Sequence, residues 1–310
     1  MTVVRVTSEL AETLAVVVDE GTMDAAARRL HVTPSAVSQR IKALEEQVGR
    51  VVLVRTKPAR PTEAGAAIVR LARQFALLEH DTLAELGVPE VDAGTAGRRV
   101  SVPLAVNADS LGTWFLEPLA RLAREHDVVF DLHRDDQDFT AGLLEAGVVM
   151  GAVTSRERPV TGCRVLPLGT MRYEAVATPA YVQRWLPGGA TADALCVAPL
   201  VGFDRRDELQ DVWLRARGAD AVRPPRHLVP ASNDFARAVI LGLGWGLLPP
   251  FQSADALGRG ELVRLGGGAV DVPLFWQQWN LRSPLLDAIA AEIVAEGRRV
   301  LAPSRASARA

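Results

Sequence analysis

The stretch from Gly21 to Gly49 constrains this chain most, because its punctuation leaves one local arrangement. Gly21 suits a left-handed C-cap and closes a helix over 7–20, where Leu10, Leu14, Val17 and Val18 recur at helical spacing. Asp24 is expected to cap a short second helix, Ala25–Leu30, whose Ala26 and Ala27 are small enough for close helix packing. His31-Val32-Thr33 makes a tight turn, with His31 given no metal role because no second ligand is near. Thr33 then falls at an N-cap and Pro34 at the first helical position, where its missing N–H costs nothing. A third helix runs from Pro34 to about Val48 and stops at Gly49. On it Val37, Ile41, Leu44 and Val48 form one apolar stripe, leaving Ser35, Ser38, Gln39 and Lys42 on the opposite face. Short hydroxyl and amide side chains on an outward helix face can reach base edges in a DNA major groove, and a cation at the end can take a phosphate. The segment therefore reads as a helix-turn-helix.

Charge supports this reading locally. The chain of 310 residues has a formal net charge of only −2. Between Arg28 and Arg60, however, eight basic residues are opposed only by Glu45 and Glu46, an electrostatic footprint for nucleic acid. Val51–Val54 is a short β run, and Arg55-Thr-Lys57-Pro-Ala-Arg60-Pro61 follows as a basic, proline-stiffened loop. A strand with such a loop predicts a wing lying on the DNA backbone or in a minor groove.

These residues carry a resemblance. Ala26-Ala27-x-x-Leu30-x-x-Thr33-Pro34-Ser35-Ala36-Val37-Ser38-x-x-Ile41-Lys42-x-Leu44-Glu45-x-x-Val48-Gly49 closely resembles the DNA-binding signature of LysR-type transcriptional regulators. Leu53-Val-Arg55-Thr56-Lys-Pro58-x-Arg60-Pro61-Thr62-Glu63-x-Gly65 is similar to the ArgP/LysG branch, whose members regulate basic amino-acid export and metabolism. The DNA contacts expected on double-stranded operator DNA are Arg28, Thr33, Pro34, Ser35, Ser38, Gln39, Lys42, Arg55, Lys57 and Arg60. The resemblance also implies a homodimer or homotetramer, with RNA polymerase as a further candidate partner.

From Thr62 to about Leu86 the only helix breaker is Gly65. Ala64, Ile68, Leu71, Phe75 and Leu78 follow an alternating four-three spacing, the seam of a pairing helix. Ile68, Leu71, Phe75 and Leu78 are the expected dimerisation residues; a helix packed only on its own domain is the alternative. Beyond the glycine- and proline-containing hinge up to Gly97, strand-like and helix-like segments alternate, which argues for an α/β domain with largely parallel sheets. Expected elements include a strand at Val100–Val106, one helix over Leu111–Glu125, a strand at Leu274–Gln277 and a helix at Leu285–Val300. The resemblance implies a two-lobed, periplasmic-binding-protein-like α/β effector domain. The expected domains are thus 1–61, a winged helix-turn-helix; 62–97, the linker (dimerisation) helix and hinge; 98–302, the effector domain with lobes 98–166 plus 270–302 and 167–269; and 303–310, a flexible tail.

Ligands of two-lobed α/β domains sit at the carboxyl ends of strands. Asn107-Ala-Asp109-Ser110 lies at such an end, and there Ser110, Thr113 and helix N-terminal amides suit a carboxylate. Asp109 is placed either to meet an ammonium or to cap the helix. Other acids near strand ends are Asp135, Asp136, Asp138, Asp204, Asp207 and Asp234, and together they fit a cationic ligand. Asp136 or Asp204 is the choice for a distal cation; Phe203 and Ser232 complete the expected effector set of Asn107, Asp109, Ser110, Thr113, Asp136, Phe203, Asp204 and Ser232. The effector expected is L-lysine or L-arginine. Trp276 is assigned to the core rather than the site, since aromatics more often pack than touch ligand. The same architecture with another effector, or an architectural or replication-modulating DNA-binding protein, remain the competing readings.

No catalytic residue, metal site or cofactor is expected. Gly242-x-Gly244-x-Gly246 lacks the spacing and context of a nucleotide loop, and no nucleophile elbow, P-loop or paired-cysteine motif occurs. Cys163 and Cys196 stand in no metal spacing and read as reduced thiols. No signal peptide or membrane span is read from the sequence, so a cytoplasmic location is expected.

Overall fold

A computed structural model describes residues 6–87, 100–135 and 140–303. The expected flexible tail and most of the hinge lie outside these residues, as does Asp136. Helix α1 (Ser8–Glu20) is capped by Thr7 and ends at Gly21, whose φ of 71° confirms the left-handed cap. The cap of α2 (Met23–Arg29) is Thr22, not Asp24. Thr22 has extended backbone and its Oγ1 accepts the Ala25 N–H at 3.2 Å, which leaves Asp24 in the first turn, favourably beside the helix dipole. Helix α3 (Pro34–Val48) keeps its expected bounds, with Thr33 Oγ1 accepting from Ala36 and Gly49 at φ 70°. Val37, Ile41 and Leu44 are fully buried against α1 and α2. Strands β1 (Leu53–Val54) and β2 (Arg60–Pro61) pair antiparallel and make the wing.

Helix α4 (Glu63–Glu85) follows, capped by Thr62. At 100° per residue its side chains fall on three faces. Gly65, Ile68, Val69 and Ala72 are buried, the last three within the core of the DNA-binding domain. Leu77 joins the core of the C-terminal domain, and Asp81 Oδ1 accepts the Leu285 N–H at 3.3 Å. Phe75 and Leu78, each 37% exposed, lie on the third face with Leu71. Ile68 therefore leaves the expected seam: it is only 7% exposed and packs within its own chain. At 100° per residue Ile68 and Phe75 point only about 20° apart, so the alternating spacing could not show on which side of the boundary Ile68 falls.

The C-terminal domain comprises β3 (Val100–Asn107), α5 (Ala108–Thr113), α6 (Leu116–Glu125), β4 (Val128–Asp135), α7 (Thr140–Glu145), β5 (Gly151–Thr154) and β6 (Cys163–Ala177). It continues through α8 (Pro179–Trp185), α9 (Ala192–Leu195), β7 (Leu200–Gly202), α10 (Leu209–Ala216), β8 (Arg226–Leu228) and α11 (Ser232–Ile240). Then come β9 (Gly246–Leu248), α12 (Pro250–Gly258), β10 (Val263–Arg264), β11 (Val270–Trp279) and α13 (Pro284–Val300). The main sheet runs β10-β6-β11-β5-β3-β4, with β9 also on β6. Strands β4, β3 and β5 are parallel, but every pairing of β6 and β11 is antiparallel, so the sheet is mixed rather than largely parallel. The reason is that both lobe crossovers are long strands, not loops. β6 and β11 pair from Cys163↔Trp279 to Tyr173↔Val270, and their register slips where Leu274↔Gly169 meets Phe275↔Pro167. That bulge, with Gly169 at φ 143°, bends the ribbon between lobes. The small parallel pair β7-β8 belongs to lobe II.

The expected helix over 111–125 is broken into α5 and α6. Trp114 and Phe115 are consecutive and both buried, in an edge-to-face pair 5.7 Å apart. The Trp114 and Phe115 N–H groups both turn to the Ser110 carbonyl, at 3.1 and 3.0 Å, which closes α5 before α6 begins. Trp276 is core, as assigned: it is fully buried, stacks near Phe115 and donates Nε1–H to Gln278 Oε1 at 2.7 Å. Cys163 and Cys196 are unbridged, and burial pushes the Cys163 thiol up to about 11, so it stays protonated at neutral pH. No helix among the described residues is long and apolar enough to cross a membrane.

Candidate nucleic-acid interface and ligand cavity

The outward face of α3 is built as the spacing required. Thr33, Pro34, Ser35, Gln39 and Lys42 are exposed and Ser38 is half-buried beside the core stripe. Arg28 at the end of α2 and Arg55, Lys57 and Arg60 on the wing are exposed too, and the wing brings its three cations to the same domain. Two of the eight basic residues counted in the sequence are engaged internally: Arg29 pairs with Glu20 at 2.8 Å and Arg40 with Glu9 at 2.5 Å. Lys42 and Glu46 are 3.7 Å apart and both exposed, a weak pairing that a phosphate can displace.

This division assigns different effects to the two groups. Gln39→Ala should weaken binding to the cognate operator by about 1–3 kcal/mol and leave non-specific binding nearly intact, because an amide reads base edges. Arg55→Ala or Lys57→Ala should lower affinity for all sequences and flatten the salt dependence, because each removes an exposed cation of the wing, the kind of group that meets phosphates. Binding titrations over several salt concentrations decide; identical behaviour of the two classes would show the assignment wrong.

The second site is a cavity of about 550 Å³, counting the space at its mouth, between the lobes. Lobe I contributes Asn107 from the end of β3 and Asp109 from the first turn of α5; Tyr173 comes from the crossover β6. Lobe II contributes Phe203 and Asp207 after β7, Leu209 and Gln210 from α10, Phe235 from α11, Leu247 from β9 and Gln252 from α12. Asp109 does not cap its helix. The Ncap residue is Asn107, which makes no side-chain cap bond. Instead the Asp109 carboxylate accepts hydrogen bonds from Tyr173 Oη (at Oδ2) and Ser232 Oγ (at Oδ1), each 2.6 Å away. Ser232 Oγ in turn accepts from Gln252 Nε2 at 2.8 Å. The carboxylate is thus held at the cleft by groups of β6, α11 and α12. Arg134, on β4, donates to the Pro230 carbonyl at 2.9 Å and lies 6.0 Å from the Phe203 ring, a second bond between lobes.

Two polar atoms of the lining lack partners. Asn107 Oδ1 and Gln210 Oε1 are buried with no hydrogen bond, on side chains 3% and 1% exposed. Buried acceptors without donors are costly, so a ligand rich in N–H groups gains by filling them. Asp207 is the second carboxylate. It accepts the Phe203 and Leu209 N–H groups. Burial pushes its carboxyl above the usual range, and the charges of Asp109 and Asp204 push the same way.

The structure brings together Asn107, Asp109, Phe203 and Ser232 of the expected set. It sets others apart. Thr113 donates its hydroxyl to the Asp109 carbonyl at 2.6 Å and lines a separate surface depression. Ser110 is fully buried and does not line the cavity. Asp204 caps the 204–207 turn, accepting from the Arg206 and Asp207 N–H groups, and also pairs with Arg206; Asp207, three residues on, takes the place expected for it. Asp204 is fixed in the turn because its side chain reaches back over its own loop, the ordinary habit of Asp before a turn. Tyr173, Gln210, Phe235 and Gln252 had no local signal, since they reach the cavity from a crossover strand and helices whose orientation only packing sets.

Comparison with known proteins places the whole chain. Residues 9–66 match the family model described as bacterial regulatory helix-turn-helix protein, lysR family, and residues 97–298 match the LysR substrate binding domain. HTH-type transcriptional regulator LysG of Mycobacterium tuberculosis is 50% identical over 277 residues, 89% of this chain and 88% of the relative. The lysine export transcriptional regulatory protein LysG of Corynebacterium efficiens is 44% identical over 290 residues, 93% of this chain and 96% of the relative. The full-length structure of LysG from Corynebacterium glutamicum with bound effector Arg superposes with a TM-score of 0.73 at 37% identity, covering 96% of this chain and 100% of that one.

Proposed function

Because the chain belongs to the LysR family of helix-turn-helix transcriptional regulators, we propose that its interlobe cavity takes arginine or lysine and that occupancy alters how α3 and the wing engage operator DNA. The observation that carries this is the pair of carboxylates, Asp109 from lobe I and Asp207 from lobe II, in one cavity with two unpartnered amide oxygens. A guanidinium or ammonium satisfies charge and donors together. The arginine bound to the Corynebacterium glutamicum relative and the lysine export role of the Corynebacterium efficiens relative point to the same ligand class and to control of amino-acid export genes. Asn107, Asp109 and Phe203 are the effector residues read from sequence that line this cavity, Ser232 acts through its hydrogen bond to Asp109, and Asp207 takes the place of Asp204. The protein is a DNA-binding regulator rather than an enzyme, and its place of action is the cytoplasm.

Calorimetry of the full chain tests the ligand. Arginine and lysine should release heat and norleucine, which lacks the distal cation, should bind far more weakly. A cation favours the ionised form of Asp207, whose pKa is raised in the free protein. Binding should therefore release protons, and affinity should fall as pH drops through that raised pKa. Equal affinity for lysine and norleucine, at any pH, would overturn the proposal.

The exposed face of α4, Leu71, Phe75 and Leu78, is the surface for a second copy of the chain. A helix-turn-helix reads two half-sites about one helical turn apart, or multiples of it, which one chain cannot span. Phe75→Glu should convert the dimer, or a tetramer built from it, to smaller species in sedimentation and abolish operator binding at nanomolar protein. An unchanged mass would refute this face as the seam.

A further inference from the structure

Helix α4 touches the rest of its own chain on two sides, and one residue joins them. Arg73 is 10% exposed in its side chain. Its Nη2 donates to Asp19 Oδ1 of α1 at 2.7 Å. Its Nη1 donates to the Gly147 carbonyl at 2.7 Å and also to the Val148 carbonyl, both at the turn that leads into β5. One guanidinium thus ties the first helix of the DNA-binding domain to lobe I.

The surroundings reinforce the tie. Arg70, one turn earlier, lies over the Trp279 ring at 4.8 Å, where β11 ends in lobe I. Gly147 has φ 70°, and a Cβ there would come within 2.7 Å of Arg70 Cβ and 3.3 Å of the Ala66 carbonyl. The turn approaches α4 so closely that a side chain is excluded. Further along, α4 packs on β3 and α13 of lobe I, and Asp81 accepts the Leu285 N–H at the start of α13. All these contacts of α4 are to lobe I.

We propose that Arg73 is a positioning residue that locks the DNA-binding domain to lobe I, so that the two behave as one body and ligand occupancy of the cleft reaches the DNA-reading helix through it. Its coupling role rests on the arginine-or-lysine reading above; the lock itself does not. A guanidinium suits this place because it is planar, permanently charged and can donate to three acceptors at once. Closing the cleft then moves lobe II against a fixed unit of lobe I, α4 and the DNA-binding domain. Differential coupling of two sites requires such a shared rigid element.

Differential scanning calorimetry of the full chain tests the lock, with arginine as the probe ligand. The wild type should unfold in one cooperative transition. Arg73→Gln should split it, the DNA-binding domain melting first, and Asp19→Ala, which removes only the arm to α1, should do so in part. Arginine should raise the single wild-type midpoint but only the upper one in Arg73→Gln. Both variants should keep arginine affinity within about twofold, while the arginine-induced change in operator affinity, ordinarily about 5–150-fold in coupled systems, shrinks below about twofold in Arg73→Gln. Two transitions in the wild type, or a single wild-type-like transition in Arg73→Gln, would overturn the lock, and an operator response retained in both variants would overturn the coupling. If arginine moves no wild-type midpoint, the effector reading fails, and the number of transitions still decides the lock.

Discussion

Replacing Asp109 by asparagine is expected to abolish the arginine-induced thermal shift while leaving operator binding by the ligand-free protein intact. The substitution keeps the size of the side chain, removes the charge, and turns one of the two oxygens that Tyr173 and Ser232 donate to, each 2.6 Å away, into an amide N–H that a rotated hydroxyl can accept. A ligand cation in a closed cleft is shielded from water, so losing its partner costs about 2–5 kcal/mol, about 30-fold to several thousandfold in affinity. Asp207 does not substitute, because it reaches the cavity from lobe II and leaves the lobe I end of the ligand without a charge partner. Ser232→Ala, which only loosens the Asp109 carboxylate, should cost less, near the about 1 kcal/mol of an ordinary hydrogen bond. Wild-type arginine affinity in Asp109→Asn, measured by calorimetry, would remove Asp109 from the site.

Gly65→Val should disable the other half of the protein. Gly65 stands in the first turn of α4, and a Cβ there would lie 1.9 Å from the Val52 carbonyl oxygen and 2.9 Å from its carbon, with Pro61 Cβ at 3.2 Å. These neighbours are backbone and a proline ring in the wing, so nothing can rotate aside. The wing and the helix start are also stitched by Thr62 Oγ1, which donates to the Val51 carbonyl at 2.8 Å. Overpacking of this kind costs about 1–3 kcal/mol or more, a large part of the stability of a domain of some 60 residues. Operator affinity should fall by at least about tenfold at 25 °C and vanish on mild warming, while calorimetric arginine binding stays within about twofold. A Gly65→Val protein that binds operator normally would show that the wing does not seat on α4 in this way.

The N-terminal domain was legible because its information is local. Caps, the Pro34 signal, the stripe of Val37, Ile41 and Leu44 and the basic loop each act within one turn or hairpin. The one misplaced cap, Asp24 for Thr22, came from choosing between two good capping residues two positions apart, and was settled by the backbone conformation Thr22 takes after Gly21. The lining of the interlobe cavity was half legible. Asn107, Asp109 and Phe203 stand at strand ends, where alternation of strands and helices already places a cleft. Thr113 and Asp204 failed because short polar side chains there bond their own backbone, a competition that residue type alone does not resolve.

What the sequence by itself determined is therefore the winged helix-turn-helix, the family and the alternation that makes a two-lobed domain, since periodicity, caps and motif spacing act over a few residues. Tertiary structure alone decided the rest. It set which face of α4 meets the DNA-binding core, which meets lobe I through Arg73 and which is left exposed. It made the crossovers an antiparallel ribbon that carries Tyr173 to Asp109, 64 residues away in the chain. It put Asp207 rather than Asp204 in the cavity. These outcomes depend on contacts between segments far apart in the chain, whose geometry no local pattern encodes until the two lobes and α4 have packed.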